Sequence, residues 1–398
     1  MSRLIDESRQ KKLDFILNLK KNKEYPLFLT MNSKNTAHIV AEGRECINFI
    51  SNNYLGFSVH PKVAEAVKAG IDRYGVGMAG SPVMSGITDI YNELCEKVAS
   101  IYQQEAAAVF PSGFQGMLGI IQATIATGDL ALLDSLAHRS LIDGVVLSGA
   151  NRFMWKHNNM ESLDKMLSSN HDTYRRKLII VDSVYSMDGD IACLPEINSV
   201  REKYGAFLMV DEAHSLGVIG EHGYGLLDHF RLPGNAVDVV SGVFSKYGAL
   251  MGGFIAGDKD FVELVKYTSS AYLFTTALPP HICAGVLQTL KLIEEEPEWR
   301  IRLWENIKFF TTSLRSLGFD LGNTGAAVVP LYIRDTEKTL LFSKMILERG
   351  VIASPVYHPG VAKGEERIRM GLMALHTRED LEKAIEVLKN VGKELGVI

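Results

Sequence analysis

Cysteines and long apolar runs are scarce in this sequence, and their scarcity excludes several classes of protein. Four cysteines, Cys46, Cys95, Cys193 and Cys283, are scattered without a CxxC pair. This pattern argues against a disulfide framework and a zinc site, and it suits a reducing cytosol. No run of about 18 apolar residues is present, and the N-terminal stretch MSRLIDESRQKKLDFILNLKKNK is too charged for a signal peptide. We therefore predict a cytoplasmic protein with no metal centre and no transmembrane segment.

Basic residues are not in excess either. The chain has 42 Lys and Arg against 47 Asp and Glu, a net charge of −5, and no long basic stretch. This balance argues against nucleic acid as a partner. The DEAH motif at 211–214 also occurs in nucleotide hydrolases, but these need a GxxxxGK[ST] loop, which the sequence lacks. The helicase interpretation is therefore excluded.

Strand-like and helical patterns alternate along residues 45–288. Short runs rich in β-branched residues occur at 178–182, 207–214, 237–245 and 252–257, and such alternation with helical stretches indicates βαβ units. We predict a large domain with an α/β fold, in which a mostly parallel central sheet is buried between helices.

Residues 1–44 are predicted to form an N-terminal helix and arm. The apolar face of this helix would consist of Leu4, Ile5, Leu13, Ile16 and Leu17. We expect the helix to dock on its own protein or on a partner subunit, with a weak contact to a membrane surface as the alternative.

Residues 289–398 show the pattern of a smaller C-terminal α+β domain. Strands are predicted at 326–333 and 366–374. Thr377 and Asp380 stand at the spacing of a capping box, which predicts the start of a final helix.

The position of Lys246 raises the question of function. It stands inside VSGVFSKYGALMGGFIAG, between two apolar runs, and a buried ammonium is costly unless it is paired, deprotonated or chemically committed. Asp211 and His214 follow a second apolar run, and ligands of open α/β sheets bind at the carboxyl ends of strands. A lysine and an aspartate in this arrangement are expected for pyridoxal phosphate: the amine bonds to the cofactor aldehyde, and the carboxylate keeps the pyridine nitrogen protonated. As alternatives, Lys246 reaches solvent, Asp211 caps a helix and His214 is a core histidine.

Three further motifs combine a turn with groups that can contact such a cofactor. Ser112, Gly113 and Phe114 lead from an apolar run into a helix. Glycine permits close approach of a ligand and free amides at a helix start suit a phosphate, although such turns are also common without a ligand. His138, in DSLAHRSLIDG, has a ring that can lie on an aromatic cofactor, whereas a single histidine is often structural. Ser186 lies in VYSMDGDIACLP, next to a tight turn.

Six motifs in this order resemble those of the α-oxoamine synthases, and the resemblance covers nearly the whole chain. These enzymes use pyridoxal phosphate to condense an amino acid with an acyl-CoA and release CO2. The motifs are GVGMAGSPVMSG, SGFQG, DSLAHRSLIDG, VYSMDGD, VDEAHSLGVIGEHG with VFSK, and GEERIRMGLMALHT. Within the family, the segments LIIVDSVYSMDGD, GEHGYGLLDHF and VPLYIRDTEKT are most similar to bacterial serine palmitoyltransferases.

The resemblance implies an aminotransferase-type fold, pyridoxal phosphate fold type I, in a homodimer with active sites at the subunit interface. It implies a decarboxylative condensation, for which we predict L-serine and a long-chain acyl-CoA as substrates and a 3-ketosphinganine-type product, CoA and CO2. The alternatives are the same chemistry with cysteate, glycine or alanine, or with a shorter acyl chain. Such reactions form 2-amino-3-ketobutyrate or 8-amino-7-oxononanoate. An aminotransferase of the same fold is the remaining enzyme class, and a non-catalytic relative would not need Lys246.

The resemblance also implies roles for individual residues. Lys246 matches the lysine that bonds to the cofactor and moves protons, and Asp211 matches the partner of the pyridine nitrogen. His214 matches the donor to the ring hydroxyl, and His138 matches the histidine stacked on the ring. Arg369, in ERIR, matches the arginine that binds the amino-acid carboxylate, a task that suits a guanidinium fork.

Contacts to the cofactor phosphate are implied for a second group of residues. Gly113 and Phe114 match backbone contacts, and Ser245 would add a hydroxyl from the same chain. Thr275 or Thr276, in LFTTALPP, would reach the site of the partner subunit.

Four positions depart from the family pattern. Val243 stands where a phosphate-binding threonine is frequent, so that Ser241 or Ser245 would have to replace it. Pro82 and Tyr91 stand in place of a frequent arginine and histidine, and Tyr357 lies where some serine palmitoyltransferases have a second carboxylate-binding arginine. These departures bear on substrate choice and leave the core chemistry in place.

Overall fold

The computed structural model describes residues 6–21 and 28–398. Leu4 and Ile5, two members of the predicted N-terminal helix face, lie outside the described residues. In the described part, the strands are β1 (His38–Ala41), β2 (Arg44–Asn48), β3 (Ala106–Phe110), β4 (Leu130–Asp134), β5 (Asn151–Trp155), β6 (Lys177–Asp182), β7 (Phe207–Asp211), β8 (Val239–Val243), β9 (Gly253–Gly257), β10 (Val328–Tyr332), β11 (Val351–Ile352), β12 (Ser354–Val356) and β13 (Arg367–Gly371).

The helices alternate with these strands through the first two thirds of the chain. They are α1 (Glu7–Lys21), α2 (Pro61–Tyr74), α3 (Pro82–Ser85), α4 (Asp89–Ile101), α5 (Gly113–Thr124), α6 (Arg139–Ser148), α7 (Met160–Ser169), α8 (Leu194–Tyr204), α9 (Leu226–Phe230), α10 (Lys259–Thr268), α11 (Ser270–Leu273), α12 (Pro280–Glu295), α13 (Glu298–Ser316), α14 (Thr336–Glu348) and α15 (Arg378–Glu394).

A seven-stranded sheet forms the centre of the molecule, in the order β3-β9-β8-β7-β6-β4-β5. Strands β8, β7, β6, β4 and β5 are mutually parallel, whereas β9 runs antiparallel to both of its neighbours. The segment between β8 and β9 is too short for the crossover that a parallel connection needs, which accounts for the reversal. The α/β fold with a mostly parallel central sheet is therefore confirmed.

The sheet is buried on both faces, as expected for parallel strands covered by helices. Alternate side chains of one strand point to opposite faces. Ile179 and Val181 accordingly join one apolar core, while Leu178 and Ile180 join the other. The register aligns the ends of β6 and β7, pairing Asp182 with Asp211. This alignment brings polar groups together at the carboxyl edge of the sheet.

The remaining strands form two small sheets, β1-β2-β11 and β10-β13-β12. Strand β2 runs parallel to β11, so the β1-β2 hairpin is joined to the C-terminal part of the chain. The predicted domain boundaries at 44/45 and 288/289 fall inside β2 and α12. We propose that the smaller domain includes this hairpin and that its boundary in the C-terminal half follows α12.

The final helix, α15, begins as predicted. Thr377 Oγ1 accepts a hydrogen bond from the backbone N–H of Asp380 at 3.1 Å, and the Asp380 carboxylate accepts from the N–H of Thr377 at 2.9 Å. This reciprocal pair satisfies two amides that a helix start leaves without intrahelical partners.

The N-terminal helix is present as α1, and its buried face matches the predicted one in part: Leu13 and Ile16 are half-buried. Leu17 is exposed, and Leu19 is the buried residue of this helix. Among the described residues, none of the helices combines the length and apolar character that crossing a lipid bilayer requires.

Candidate functional site

Lys246 follows β8 and contacts His214, which follows β7. The two atoms Lys246 Nζ and His214 Nε2 are 2.8 Å apart, and His214 Nδ1 is 2.7 Å from the hydroxyl of Tyr54. Burial, together with the positive charges of Lys246 and Arg369, holds the pKa of His214 well below its usual value, so the ring is neutral. A neutral imidazole has one donor and one acceptor nitrogen.

The hydrogen-bond network assigns the tautomer of His214. The Tyr54 hydroxyl donates to Asn52 Oδ1 at 3.1 Å, so it accepts from His214 Nδ1–H, and His214 Nε2 accepts from the Lys246 amine. Burial lowers the pKa of Lys246 to about 8, because it disfavours the ammonium more than the Asp211 carboxylate favours it. A larger fraction of this lysine than of an exposed one is therefore neutral near physiological pH, and a nucleophile or general base requires the neutral amine.

Two buried carboxyl groups lie at the ends of β6 and β7. Burial raises the pKa of Asp211 to about 6, opposed by the charge of Lys246 and by a 3.0 Å hydrogen bond from the Ala213 N–H. Burial and the neighbouring Asp211 raise the pKa of Asp182 well above its usual value. A cation at this place would keep Asp211 ionised. Sequence reasoning had missed Asp182, although it ends a predicted strand just as Asp211 does.

His138 is held by this second carboxyl group. Its backbone N–H donates to Asp182 Oδ2 at 3.0 Å, and its Nδ1 is 2.8 Å from Ser140 Oγ. The residue caps the start of α6 and keeps part of its surface accessible to solvent. Surrounding protein atoms and the charge of Lys246 lower the pKa of His138. A neutral ring near Lys246 is compatible with stacking on an aromatic ligand.

The amino end of α5 forms the second side of the site. Ser112 caps this helix by accepting from the Gln115 N–H at 3.3 Å. A Cβ at Gly113 would collide with the Val243 side chain, and one at Gly253 would collide with the Gly113 backbone. Glycines therefore allow β8, β9 and the helix start to approach closely. Phe114 is exposed beside them, and the free amides of the first turn suit an anion.

The side-chain hydroxyls that are candidates for binding the phosphate differ in their surroundings. Thr275 Oγ1 accepts from Gln115 Nε2 of the same chain at 3.0 Å, which places it beside the start of α5. Thr276 and Ser245 are exposed. Ser241 is fully buried, and its hydroxyl donates to Met117 Sδ at 2.8 Å. Ser241 therefore faces the core, and the suggestion that it replaces the phosphate-binding threonine is wrong.

Arg369 is carried by β13 and is almost fully buried. Its Nε donates to the carbonyl of Ser186 at 2.6 Å, and its second terminal nitrogen donates to Asn52 Oδ1 at 3.0 Å. The same Asn52 oxygen accepts from Tyr54. A continuous chain of hydrogen bonds thus joins Lys246, through His214, Tyr54 and Asn52, to Arg369.

Sequence reasoning missed Asn52 and Tyr54. The signal available was the polar segment SNNY, which interrupts an apolar run directly after β2. The contact between Tyr54 and His214 spans 160 residues, so no local pattern indicates it. The residues that were predicted, Lys246, His214 and Arg369, are connected by these hydrogen bonds.

Comparison with known proteins agrees with this arrangement. The sequence pattern of aminotransferase class I and II matches residues 44–388. The 8-amino-7-oxononanoate synthase of Alkaliphilus metalliredigens is 42% identical over 383 residues, covering 96% of this chain and 97% of that protein. The chain belongs to the α-oxoamine synthases of the aminotransferase class I and II family. The α-oxoamine synthase described here is thus a pyridoxal phosphate-dependent acyltransferase.

Two further relatives carry another name. The serine palmitoyltransferase of Sphingobacterium spiritivorum is 38% identical over 381 residues, covering 96% of this α-oxoamine synthase and 95% of that protein. The solved structure of the Sphingomonas wittichii serine palmitoyltransferase has a TM-score of 0.94 at 30% identity, with 100% of both chains covered. The aminotransferase-type fold predicted from the motifs is confirmed.

The described residues fit pyridoxal phosphate by their chemistry. Lys246 offers an amine of lowered pKa for the aldehyde. Asp211 offers a buried carboxyl group for the pyridine nitrogen, and its pKa is raised because burial outweighs the charge of Lys246. The amides at the start of α5 offer donors to a phosphate, and His138 offers a ring. These groups match the aldehyde, the pyridine nitrogen, the phosphate and the ring face of the cofactor.

Proposed function

We propose that this enzyme condenses L-alanine with the thioester of a seven-carbon dicarboxylic acid, forming 8-amino-7-oxononanoate, a free thiol and CO2. The observation that carries this proposal is the 42% identity, over 96% of the chain, to a protein named 8-amino-7-oxononanoate synthase. The substrate pair predicted from the sequence, L-serine and a long-chain acyl-CoA, is therefore no longer our first choice.

The product defines the two substrates. In 8-amino-7-oxononanoate, carbons 1 to 7 form a dicarboxylic acyl group, whereas carbons 8 and 9 with the amine correspond to alanine without its carboxylate. One bond forms between the alanine Cα and the acyl carbon. The bonds from Cα to the carboxylate and from the acyl carbon to sulfur break, which releases CO2 and the thiol.

The residues of the site have complementary roles in this reaction. Pyridoxal phosphate, when bound, supplies an aldehyde that condenses with amines and a ring that accepts the electron pair of Cα. Asp211, as a carboxylate, keeps the pyridine nitrogen protonated, which a neutral residue would not do. Lys246 Nζ accepts the Cα proton, since a pKa of about 8 leaves roughly a tenth of the amine neutral at pH 7.

Arg369 and Asn52 would bind the amino-acid carboxylate. Arg369 is held in a fixed orientation by the Ser186 carbonyl and by Asn52, so little side-chain freedom is lost when the carboxylate binds. His138 would cover the ring and limit the access of water to the reacting carbon.

Replacing Asn52 with alanine tests this arrangement. Asn52→Ala removes a direct contact of Arg369, and we expect the KM for the amino acid to rise about 10-fold with a smaller change in kcat, since one hydrogen bond to a charged group contributes about 1.5 kcal/mol. Asn198→Ala is the matched control, because Asn198 is half-buried on α8 and its Oδ1 also accepts from an arginine, Arg201, at 2.9 Å. Equal KM values in the two variants would contradict the role given to Asn52.

Restoring a hydroxyl at Val243 tests the phosphate site. Val243 packs on Gly113 at the start of α5, and Val243→Thr adds a donor there without changing the side-chain shape. We expect the dissociation constant of pyridoxal phosphate, measured by adding it back to the cofactor-free enzyme, to fall about 10-fold. This is the gain expected from one charge-assisted hydrogen bond. Val146→Thr, at an exposed position of α6, should leave it unchanged. An unchanged or weaker affinity in Val243→Thr would place the phosphate elsewhere.

A second candidate substrate pair is L-serine with a long-chain acyl-CoA. The TM-score of 0.94 with a serine palmitoyltransferase favours it, whereas Tyr357 in place of a second arginine does not. The two proposals are distinguished by thiol release from each thioester with alanine, serine, glycine or cysteate. Release with serine and a long acyl chain alone would replace our first proposal with the second.

We also propose a homodimer with shared active sites. Val83, Met84 and Phe274 are exposed apolar residues, and the segments that carry them line one cleft together with Thr275 and Thr276. Exposed apolar patches often mark interfaces between subunits. Because this patch adjoins the candidate phosphate ligands, a partner subunit that covers it would complete the site.

A further inference from the structure

His157 lies outside the group of residues discussed so far, in the segment that follows β5. Both of its ring nitrogens contact carboxylates: Nδ1 is 2.9 Å from Asp134 Oδ1, and Nε2 is 2.6 Å from Asp190 Oδ2. The Asp134 side chain is 1% exposed and that of Asp190 is 12% exposed. Because ionised carboxylates only accept hydrogen bonds, both ring nitrogens carry a proton, and His157 is an imidazolium.

Asp134 belongs to the segment that carries His138. It ends β4, and its Oδ1 also accepts from the Leu136 N–H at 2.9 Å. The backbone N–H of Ala137 donates to the Asp134 carbonyl at 3.0 Å. The turn between β4 and α6, which ends at His138, is therefore built around Asp134.

Asp190 belongs to the turn that carries Ser186. The Tyr185 N–H donates to the Asp190 carbonyl at 3.1 Å, and the Gly189 N–H donates to the Tyr185 carbonyl at 2.8 Å. Ser186 lies within this closed turn, and its carbonyl binds Arg369. A shift of Asp190 would therefore move the Ser186 carbonyl and, with it, the guanidinium of Arg369.

Asn158 repeats the connection made by its neighbour. Its backbone N–H donates to Asp134 Oδ2 at 3.0 Å, and its side-chain amide donates to Asp190 Oδ2 at 2.8 Å. Asn158 adopts φ 45, a left-handed conformation that asparagine tolerates better than most residues. The ring of Tyr185 packs edge-on against His157, with centroids 4.4 Å apart. Two consecutive residues thus connect the same two carboxylates.

We propose that His157 is a positioning residue of the amino-acid site. As an imidazolium, it holds the segment 134–138 and the turn 186–190 at a fixed separation, so that His138 and the Ser186–Arg369 pair face one amino acid together. This proposal rests on the proposed function, because that function assigns Arg369 to the amino-acid carboxylate and His138 to the cofactor ring beside the reacting carbon. In this proposal His157 acts through these two segments and not through a contact of its own with the substrate or the cofactor.

The test compares His157→Gln with His222→Gln in the holoenzyme. Glutamine keeps one donor group and removes the charge. His222 is an exposed histidine whose Nδ1 is 2.9 Å from Asp228 Oδ1, which makes it a matched control. We expect the dissociation constant for L-alanine, titrated through the cofactor absorbance, to rise about 10-fold in His157→Gln only. A lower melting temperature with an unchanged dissociation constant would show a purely structural role and overturn the proposal.

Hydrogen exchange on the same proteins separates this proposal from the proposed function, because it needs no amino acid. We expect faster exchange of backbone amides in both segments, 134–140 and 184–191, in His157→Gln and in neither segment of His222→Gln. Faster exchange confined to one segment would overturn the proposal, even if the wild-type enzyme responded to no amino acid at all.

Asp190→Asn provides a second variant if His157→Gln does not fold. It is isosteric and weakens only the contact with the turn 186–190. The expected result is faster exchange in 184–191 and weaker alanine binding, with 134–140 unchanged. If the backbone amides of 184–191 exchanged at the same rate in Asp190→Asn as in the wild type, the proposal would be overturned.

Discussion

Replacement of Lys246 with alanine will reduce thiol release from the acyl thioester by at least about 10³-fold, because one amine serves as both the covalent anchor of the cofactor and the base for Cα. The visible absorption band that reports the bond between the amine and the cofactor should be absent from the same variant. The measurements are the rate of thiol release under saturating substrates and the absorbance spectrum of the purified protein.

Lys291→Ala is the control for this substitution. Lys291 is exposed on α12 and pairs with Glu295 on the surface, so its removal should leave the rate and the spectrum unchanged. Comparable rates in Lys246→Ala and Lys291→Ala would contradict the assignment of Lys246. Melting temperatures of the two variants show whether a loss of activity results from unfolding.

Replacement of Asp211 with asparagine will lower kcat by about 10²- to 10³-fold while sparing the fold, since a neutral amide cannot keep the pyridine nitrogen protonated. The isosteric change keeps the oxygen that accepts from the Ala213 N–H. Asp164→Asn, at a partly exposed position of α7, should retain full activity. Less than a tenfold loss in Asp211→Asn would contradict the role of this carboxylate.

Asp211→Asn should lower kcat, but it should not lower the stability of the cofactor-free protein at neutral pH. Burial raises the pKa of Asp211 from 3.8 to about 6 in the folded chain. The unfolded chain therefore loses this proton first, and the contribution of Asp211 to the free energy of unfolding falls as the pH rises through this window. We expect cofactor-free Asp211→Asn to melt no lower than the wild type at pH 7. Melting temperatures at pH 4.5 and 7 test the sign.

Much of the fold could be predicted because the relevant signals are local. The runs that form β6 and β7 are continuous apolar segments, and both were placed within a few residues of their observed bounds. The capping box of α15 involves residues three positions apart. The direction of β9 was not foreseen, because a short connection determines it and not the composition of the strand.

The site could be predicted only in part, for a related reason. Lys246 and Asp211 could be predicted because each follows an apolar run and lies in a motif that resembles those of the α-oxoamine synthases. Whether Ser241 points to the site or to the core depends on the register of β8, and it points to the core. Asn52 reaches Arg369 across 317 residues, a contact that follows from the way the chain returns on itself.

The substrates could not be predicted from local patterns either. The motifs that identified the α-oxoamine synthases surround atoms common to every amino acid and to the cofactor. The choice of the acyl chain depends on the shape of the space that receives it, which several distant segments form together. For this reason, overall similarity to related enzymes carried more weight than any single motif.

The measurement that tests the central claim most directly follows both products of the condensation from L-alanine labelled with 13C in its carboxylate. The enzyme is incubated with this amino acid and the seven-carbon dicarboxylic thioester, and labelled CO2 and free thiol are quantified together. The account predicts equal amounts of the two, with both absent from Lys246→Ala. Thiol without labelled CO2 would indicate hydrolysis of the thioester, and a labelled keto acid without thiol would indicate an aminotransferase. Either result would contradict the account.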